Sequence, residues 1–388
     1  MGSSPIVAAV LALAFVGGGC LDDYEARCRA GPVTVLATGA FAPQGRVPPD
    51  ARDTSIALNE PAQSIIIAAD GRVEVNVWRA RDDASLDGEA TAVTIVVDDA
   101  TGQVLDTIER HVVGDAAHFV RVPGGIVTFG TRSADGQHLL EATYVSDDGV
   151  PGAPTLVPGA SCEACELVWS ARAHAAGVDV LWGERVGDDV YSGGVRFAQL
   201  DAQGQPLRDG TLAFAAESPA LMRGVGDVLW IDAPNGSWKV DDALDALVGP
   251  IAPEAAAITF GATSAAATTR VHASDPVSGD QVLIQRFDSA GTPVSDPRYL
   301  ARGRPFALAD ADDGAAVLFL DGIDAHAHLW VALTDAAGRK IGGDLAAGMV
   351  AAGGERGAVG LSLHPGHRGA AYFVGQAGLT RVELSCDP

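Results

Sequence analysis

Four small clusters of residues carry the types and spacings from which a reactive or metal-binding centre could be made. Cys162-Glu163-Ala164-Cys165 sets two thiols at a separation that suits a redox centre, half of a zinc site or a local disulfide. His326 and His328 stand one residue apart at the start of an apolar run, so on a strand both would point to one face, as two metal ligands can. His364 and His367, in His-Pro-Gly-His, are a source of a third ligand, although the Pro-Gly between them reads as an exposed turn. Asp310-Ala311-Asp312-Asp313-Gly314 has the acidity of a calcium loop, and Asp82 to Glu89 is similarly acidic. No cofactor is expected, with calcium as the alternative.

Each cluster also has a plainer reading. No second Cys-x-x-Cys follows and no His succeeds Cys165, so Cys162 and Cys165 are expected to form a local disulfide. The histidines read as solvated. Counted from Asp310, the calcium pattern fails at its fifth position, Gly314, which leaves a connecting turn. Nucleophile-elbow, Walker-type, dinucleotide-fingerprint and His-Glu-x-x-His motifs are absent from the sequence. No catalytic, cofactor-binding or metal-binding residue is assigned, because single residues gathered from several strands would leave no contiguous motif.

The elements that would have to hold any such site are written as two interleaved ladders recurring about every 50 residues. One is an alternating strand, Asp-x-x-Gly, then an apolar residue. Its copies are Ile95 to Asp99 with Gly102, Val195 to Asp201 with Gly204, Val282 to Asp288 with Gly291, and Leu329 to Asp335 with Gly338. The Asp can accept a backbone N–H two residues on, and the Gly can take the left-handed conformation, so each copy is a hairpin. The second ladder is Gly-x-x-Val-x-aromatic, clear at Gly124, Gly177 and Gly314 and looser at Gly71, Gly226 and Gly369. The interval from Gly226 to Gly314 is nearly double the others, so a worn copy is expected near Gly261 to His272.

Several short strands per period of this length describe propeller blades; helical repeats would need long 3.6-residue patterns, which are missing. The expected fold class is all-β: a single seven-bladed β-propeller, with six or eight blades as alternatives. The last unit lacks an outer hairpin. Val33 to Thr38, from the opposite end of the chain, should supply its missing edge strand, because an unpaired edge exposes a row of backbone donors and acceptors. Cys28 and Cys386 lie just outside the strands that would meet there, so a disulfide between them is expected. Trp78, Trp182 and Trp230 fill the recurring aromatic slot and are expected in the core; Trp169, Trp238 and Trp330 are less constrained, with sugar stacking as the alternative.

The formal charge is −24, spread over the chain, which repels phosphate backbones and excludes nucleic acid as a natural partner. Ile6 to Val16 is an apolar run of signal-peptide length, too short to cross a bilayer as a helix. It ends at Val16-Gly17-Gly18-Gly19-Cys20, which resembles the lipobox of bacterial lipoproteins, though Gly17 stands where a Leu-like residue is usual and Met1 to Pro5 carry no Lys or Arg. The resemblance implies lipidation at Cys20, which becomes the mature N-terminus. An ordinary cleaved secretory signal is the alternative.

The resulting organisation is a signal peptide at 1–19, a flexible stem at 20–32 and a propeller domain at 33–388. The chain looks like the propeller lipoproteins of bacterial envelopes, lipid-anchored to the outer membrane, monomeric, with a protein or glycan partner. Two functions follow from that placement. The first is a non-enzymatic binding or scaffold module; the alternative is an extracellular glycan hydrolase or lyase with carboxylates in the central funnel.

Overall fold

The computed structural model describes residues 27–387 except 44–55, 58–63, 69, 80–88, 114–115, 164, 175–176, 188–189, 219, 224–228, 252–259, 264–266, 274–280, 289–291, 312, 322–327, 350–357 and 376. Cys20, the expected signal peptide, the Asp82 loop and His326 lie outside the described residues.

Strand β1 (Arg27–Thr38) begins the described chain and belongs to its last sheet. The first sheet contains β2 (Phe41–Pro43) and β4 (Ile65–Ile67), both paired with β5 (Arg72–Arg79), followed by β6 (Glu89–Asp98) and β7 (Gln103–Val113). Between β2 and β4 lies the short β3 (Ile56–Ala57). The second sheet is β8 (Ala116–Val122), β9 (Gly125–Ala134), β10 (Gln137–Ser146) and β11 (Thr155–Glu163). The third is β12 (Glu166–His174), β13 (Gly177–Gly187), β14 (Val190–Asp201) and β15 (Pro206–Thr211); the fourth is β16 (Leu221–Arg223), β17 (Leu229–Ala233), β18 (Gly236–Val240) and β19 (Ala246–Ile251). The worn repeat near Gly261 forms the fifth: β20 (Phe260–Thr263), β21 (Ala267–Ala273), β22 (Val282–Asp288) and β23 (Arg298–Ala301). The sixth is β24 (Arg304–Ala311), β25 (Gly314–Asp321), β26 (His328–Asp335) and β27 (Lys340–Met349). The seventh is β28 (Ala358–His364), β29 (Arg368–Gly375), β30 (Gly378–Asp387) and, as its outer strand, β1.

Each of these seven sheets packs against the next, and the seventh packs against the first. From β8 onward the first strands of successive sheets approach one another, and β28 approaches β4, so these strands form the inner wall of a closed ring. This is a β-propeller. The core is correspondingly divided among the spaces between sheets: Trp78 with Phe119 between the first and second, Trp169 with Phe129 between the second and third, and Leu361 with Leu318 between the sixth and seventh. Second strands have neighbours on both faces, which is why β25 is an unbroken apolar run buried over Gly314–Leu320, whereas the outer β15 is almost wholly exposed.

The hairpin chemistry is visible atom by atom. Asp201 Oδ1 accepts the backbone N–H groups of Gln203 (2.9 Å) and Gln205 (2.8 Å), and Asp335 Oδ1 accepts those of Ala337 (2.9 Å) and Arg339 (2.8 Å). Gly204 and Gly338 take φ of +74° and +72°, where a Cβ would be strained. The fourth sheet repeats the turn with a substitution that hides it: Asp241 caps Ala243 and Asp245, and Leu244, with φ 59°, stands in the glycine position. In the first copy the capping residue is Asp98, which accepts Thr101 N–H at 3.0 Å, and not Asp99 as the spacing suggested.

Closure follows the expected pairing and extends it. Val33, Thr34 and Val35 face Val382, Arg381 and Thr380, but the ladder continues to Arg27 opposite Asp387. The expected stem is therefore corrected over 27–32, which are strand: backbone groups of β30 beyond Val382 need partners, and these residues supply them. Cys28 and Cys386 face each other and are joined by a disulfide. In other sheets a hairpin joins the third and fourth strands at this place; here the disulfide joins two strands from opposite chain ends.

A second disulfide, Cys162–Cys165, spans the passage from β11 to β12. Breaking the closing bond should cost far more than breaking this local one, since chain entropy scales with loop length. Cys386→Ser is expected to lose roughly 3–5 kcal/mol in urea denaturation, and Cys162→Ser about half of that or less. Equal midpoints for the two variants would contradict the assigned role.

Candidate functional site

Several of the polar side chains that the fold buries lie at the ends of the strands where the Asp hairpins are, and these link one sheet to the next. The densest group surrounds Asp99, in the first sheet's outer hairpin. Its carboxylate accepts Ser362 Oγ at 2.5 Å, Tyr372 Oη at 2.5 Å, and Arg381 Nε at 3.4 Å, and lies 2.8 Å from His364 Nε2, all from the seventh sheet. A further Arg381 N–H donates to the Asp99 backbone carbonyl. Ser362 Oγ also accepts Ala370 N–H at 3.0 Å, so the carboxylate is fixed by groups that are themselves fixed.

Burial alone would raise the Asp99 pKa, but hydrogen bonds from Ser362, Tyr372 and His364, with the Arg381 charge, hold it below the ordinary carboxylate value. Burial and the adjacent Asp99 charge push the Tyr372 phenol up, so it stays a protonated donor. Although Ser, His and Asp meet here, Ser362 donates directly to Asp99 rather than to His364. A nucleophile needs the opposite order, with its proton facing the base. The group is a latch between the chain's first and last sheets.

Similar ties occur around the ring. Between the first and second sheets, Asp147 meets Arg110 at 2.5 Å and Arg121 at 3.0 Å, and Arg121 also reaches Glu74 at 3.2 Å. Burial would raise the Asp147 pKa, but the hydrogen bond from Arg110 and the two guanidinium charges lower it overall. Gln205 joins Thr155 across the second and third sheets. Gln199 and Arg208 donate to the backbone carbonyls of Asp242 and Ala243 across the third and fourth. Asp310 accepts Thr269 Oγ1 at 2.9 Å and pairs with Arg286 at 3.5 Å across the fifth and sixth, and Asp313 accepts Gly366 N–H at 2.6 Å across the sixth and seventh.

These contacts decide several of the candidates. Asp310 and Asp313 of the acidic loop serve sheets on opposite sides. His364 is at the Asp99 latch, and His367 Nε2 lies 3.1 Å from the Thr334 carbonyl. His328 begins β26 and is exposed. Among the described residues no group of three or more His, Cys, Asp or Glu side chains is arranged to hold a metal ion. Trp78, Trp169, Trp182, Trp230 and Trp238 are buried, and Trp330 is partly buried, so these indoles serve the core.

The inner wall also differs from an open funnel. β3 pairs in parallel with β12, Ile56 opposite Val168 and Ala57 opposite Trp169, on the edge of β12 that faces the axis. The chain's own backbone thus occupies part of the axial space. Buried His118, on inner strand β8, is held neutral, its pKa lowered by burial to about 4. Asp179, buried in β13, is raised by burial despite its hydrogen bond from Gln199.

At the opposite end of the third sheet from its Asp hairpin, the β13–β14 corner carries a small cleft of about 50 Å³, bounded by Trp182, Glu184, Ser192 and Arg196. Ser192 Oγ donates to Glu184 at 3.1 Å, and Gly193 and Gly194 leave open space beside it. Val186 and Val190 are more than half exposed at the same corner. Such a corner can contact a partner.

No protein-family model matches the sequence, and no curated protein does. Solved structures with a similar fold include the WD40 domain of Neurospora crassa Pan2, at 12% identity and TM-score 0.45, covering 92% of this chain and 96% of that one. The Dos1 propeller is similar at 10% identity and TM-score 0.42, covering 92% and 95%. The phage phi92 endosialidase is similar at 7% identity and TM-score 0.43, covering 94% and 70%. No activity is carried over from them.

The latch makes a pH-dependent prediction. Because the folded Asp99 pKa is depressed, its stabilisation is present above the unfolded value near 4 and is lost as pH falls through the folded value. Asp99→Asn should therefore lose about 2–3 kcal/mol near neutrality, and the gap from the parent should narrow below about pH 4. A pH-independent gap would show that the charge of Asp99 is immaterial.

Proposed function

We propose that this protein is an envelope lipoprotein, anchored through a lipid on Cys20 after removal of residues 1–19, whose seven-bladed propeller acts as a non-enzymatic docking module for another protein. The observation that carries this reading is how the buried ionisable groups are used. Buried Asp99 and Asp310 and the partly exposed Asp147 stand at different sheet junctions, and buried Asp179 lies within the third sheet; each is held by cations or hydrogen-bond donors. An acid–base pair for glycan cleavage needs two carboxylates flanking one substrate bond, about 5 to 10 Å apart. These four carboxylates serve architecture instead, while the loops at the rims remain for contacts.

The seven sheets support seven blades. Two disulfides, one of them tying the chain ends, suit an oxidising compartment outside the cytosol. The formal charge of −24 favours neutral or basic partner surfaces and disfavours nucleic acid. A monomer fits a ring that closes on itself with its own two ends.

Two measurements test the reading. Fatty-acid labelling in a bacterial host should mark the intact protein and disappear in Cys20→Ser; equal labelling of both would refute the anchor. Residues 21–388, immobilised and exposed to envelope extract, should retain a defined protein partner in a salt-sensitive manner, while a panel of envelope glycans stays uncleaved. Release of oligosaccharide in proportion to added protein would replace the docking reading with the hydrolase or lyase alternative.

A further inference from the structure

The strand order settles where an anchor would enter the ring, and with it which end of the propeller a membrane would face. β1 enters at Arg27, opposite Asp387 at the end of β30. In the other sheets this end of the third strand carries the outer hairpin, as at Asp98–Gly102, Asp201–Gly204, Asp241–Leu244 and Asp335–Gly338. Cys28 Sγ lies 3.6 Å from the carbonyl of Ile341, three residues beyond the sixth sheet's hairpin, which fixes the entry at the same level. The β13–β14 corner, with its cleft and its exposed Val186 and Val190, is at the other ends of the strands.

Seven residue steps separate Cys20 from Arg27, a reach of about 25 Å when fully extended. Strands of the lengths seen here make the ring about 30 Å high along them. A lipid on Cys20 can therefore hold the hairpin end near the bilayer but cannot bring the opposite end flat against it. The negative charge of the chain further opposes adhesion of either end to anionic head groups.

Resting on the lipid-anchored reading above, we infer that the propeller is tethered with its Asp-hairpin end toward the membrane and presents the opposite end, including the β13–β14 corner, outward. The two ends have different jobs. The membrane-side end carries the inter-sheet ties, and the outward end carries the cleft.

The test uses the full lipidated chain in phosphatidylcholine vesicles doped with a head-group nitroxide lipid. Ala337→Cys places one thiol on the sixth sheet's Asp hairpin, and Gln137→Cys places one on the second sheet's opposite turn; both positions are exposed. The new cysteine is the only free thiol, since Cys20 carries the lipid and the other four are paired. A nitrobenzoxadiazole label at position 337 should be quenched at least twofold more than one at 137. Equal quenching, or more at 137, in protein that floats with the vesicles and loses flotation on Cys20→Ser would overturn the orientation while leaving the anchor intact. Flotation unchanged by Cys20→Ser would overturn the anchor and the orientation together.

Discussion

A ring of sheets made from one chain has a single place where covalent continuity fails, and everything else in this molecule depends on how that gap is held. Six sheets take their four main strands from continuous stretches of sequence, so their pairing is local. The seventh takes its outer strand, β1, from the far end of the chain. If that strand let go, β30 would become a bare edge and the core shared by the first and last sheets, with Val75, Ile95, Tyr372 and Leu379, would lose Leu36. Three interactions of different physical kind meet the need: a backbone ladder, the Cys28–Cys386 bond, and the Asp99 latch. The ladder gives register, the disulfide limits the unfolded ensemble, and the latch gives a directional polar contact.

The buried polar ties elsewhere follow the same logic at lower stakes. Apolar packing between sheets is strong but tolerant of sliding, because it has little directionality. A buried carboxylate beside a guanidinium gains little net stability over an apolar pair, yet a shift of one residue would leave both unpaired at a cost of several kcal/mol. Placing such pairs at sheet junctions, as with Arg286 and Asp310, or a buried Arg110 against the partly exposed Asp147, penalises wrong alignments of one blade on the next. The acidity of the chain thus has an internal use as well as a solubilising one.

Hairpins were the most legible feature, since Asp-x-x-Gly acts through bonds within five residues and needs no help from the rest of the fold. Even so, the turns at Asp98 and Asp241 departed from the pattern. In Asp98-Asp99 the sequence offers two carboxylates, and only the seventh sheet's Ser362, Tyr372 and Arg381 decide that the second turns inward. Leu244 fills a glycine position because its side chain gains burial against the neighbouring apolar core, which offsets its left-handed backbone. The six tryptophans were half legible: those on the ladder belonged to the core by period, while Trp169 and Trp238 are core by packing alone.

By itself the sequence determined the all-β class, the repeat, the pairing of β1 with the last sheet and the partners of the cysteines, because each rests on turn chemistry, strand periodicity or the counting of unsatisfied edges and thiols. Only the tertiary structure decided which aspartates tie sheets together, that residues 27–32 are strand, and that β3 lies along β12 inside the ring. Those features join residues tens to hundreds of positions apart through side-chain and edge contacts, and no periodicity along the chain encodes which distant group a buried carboxylate or a free strand edge will meet.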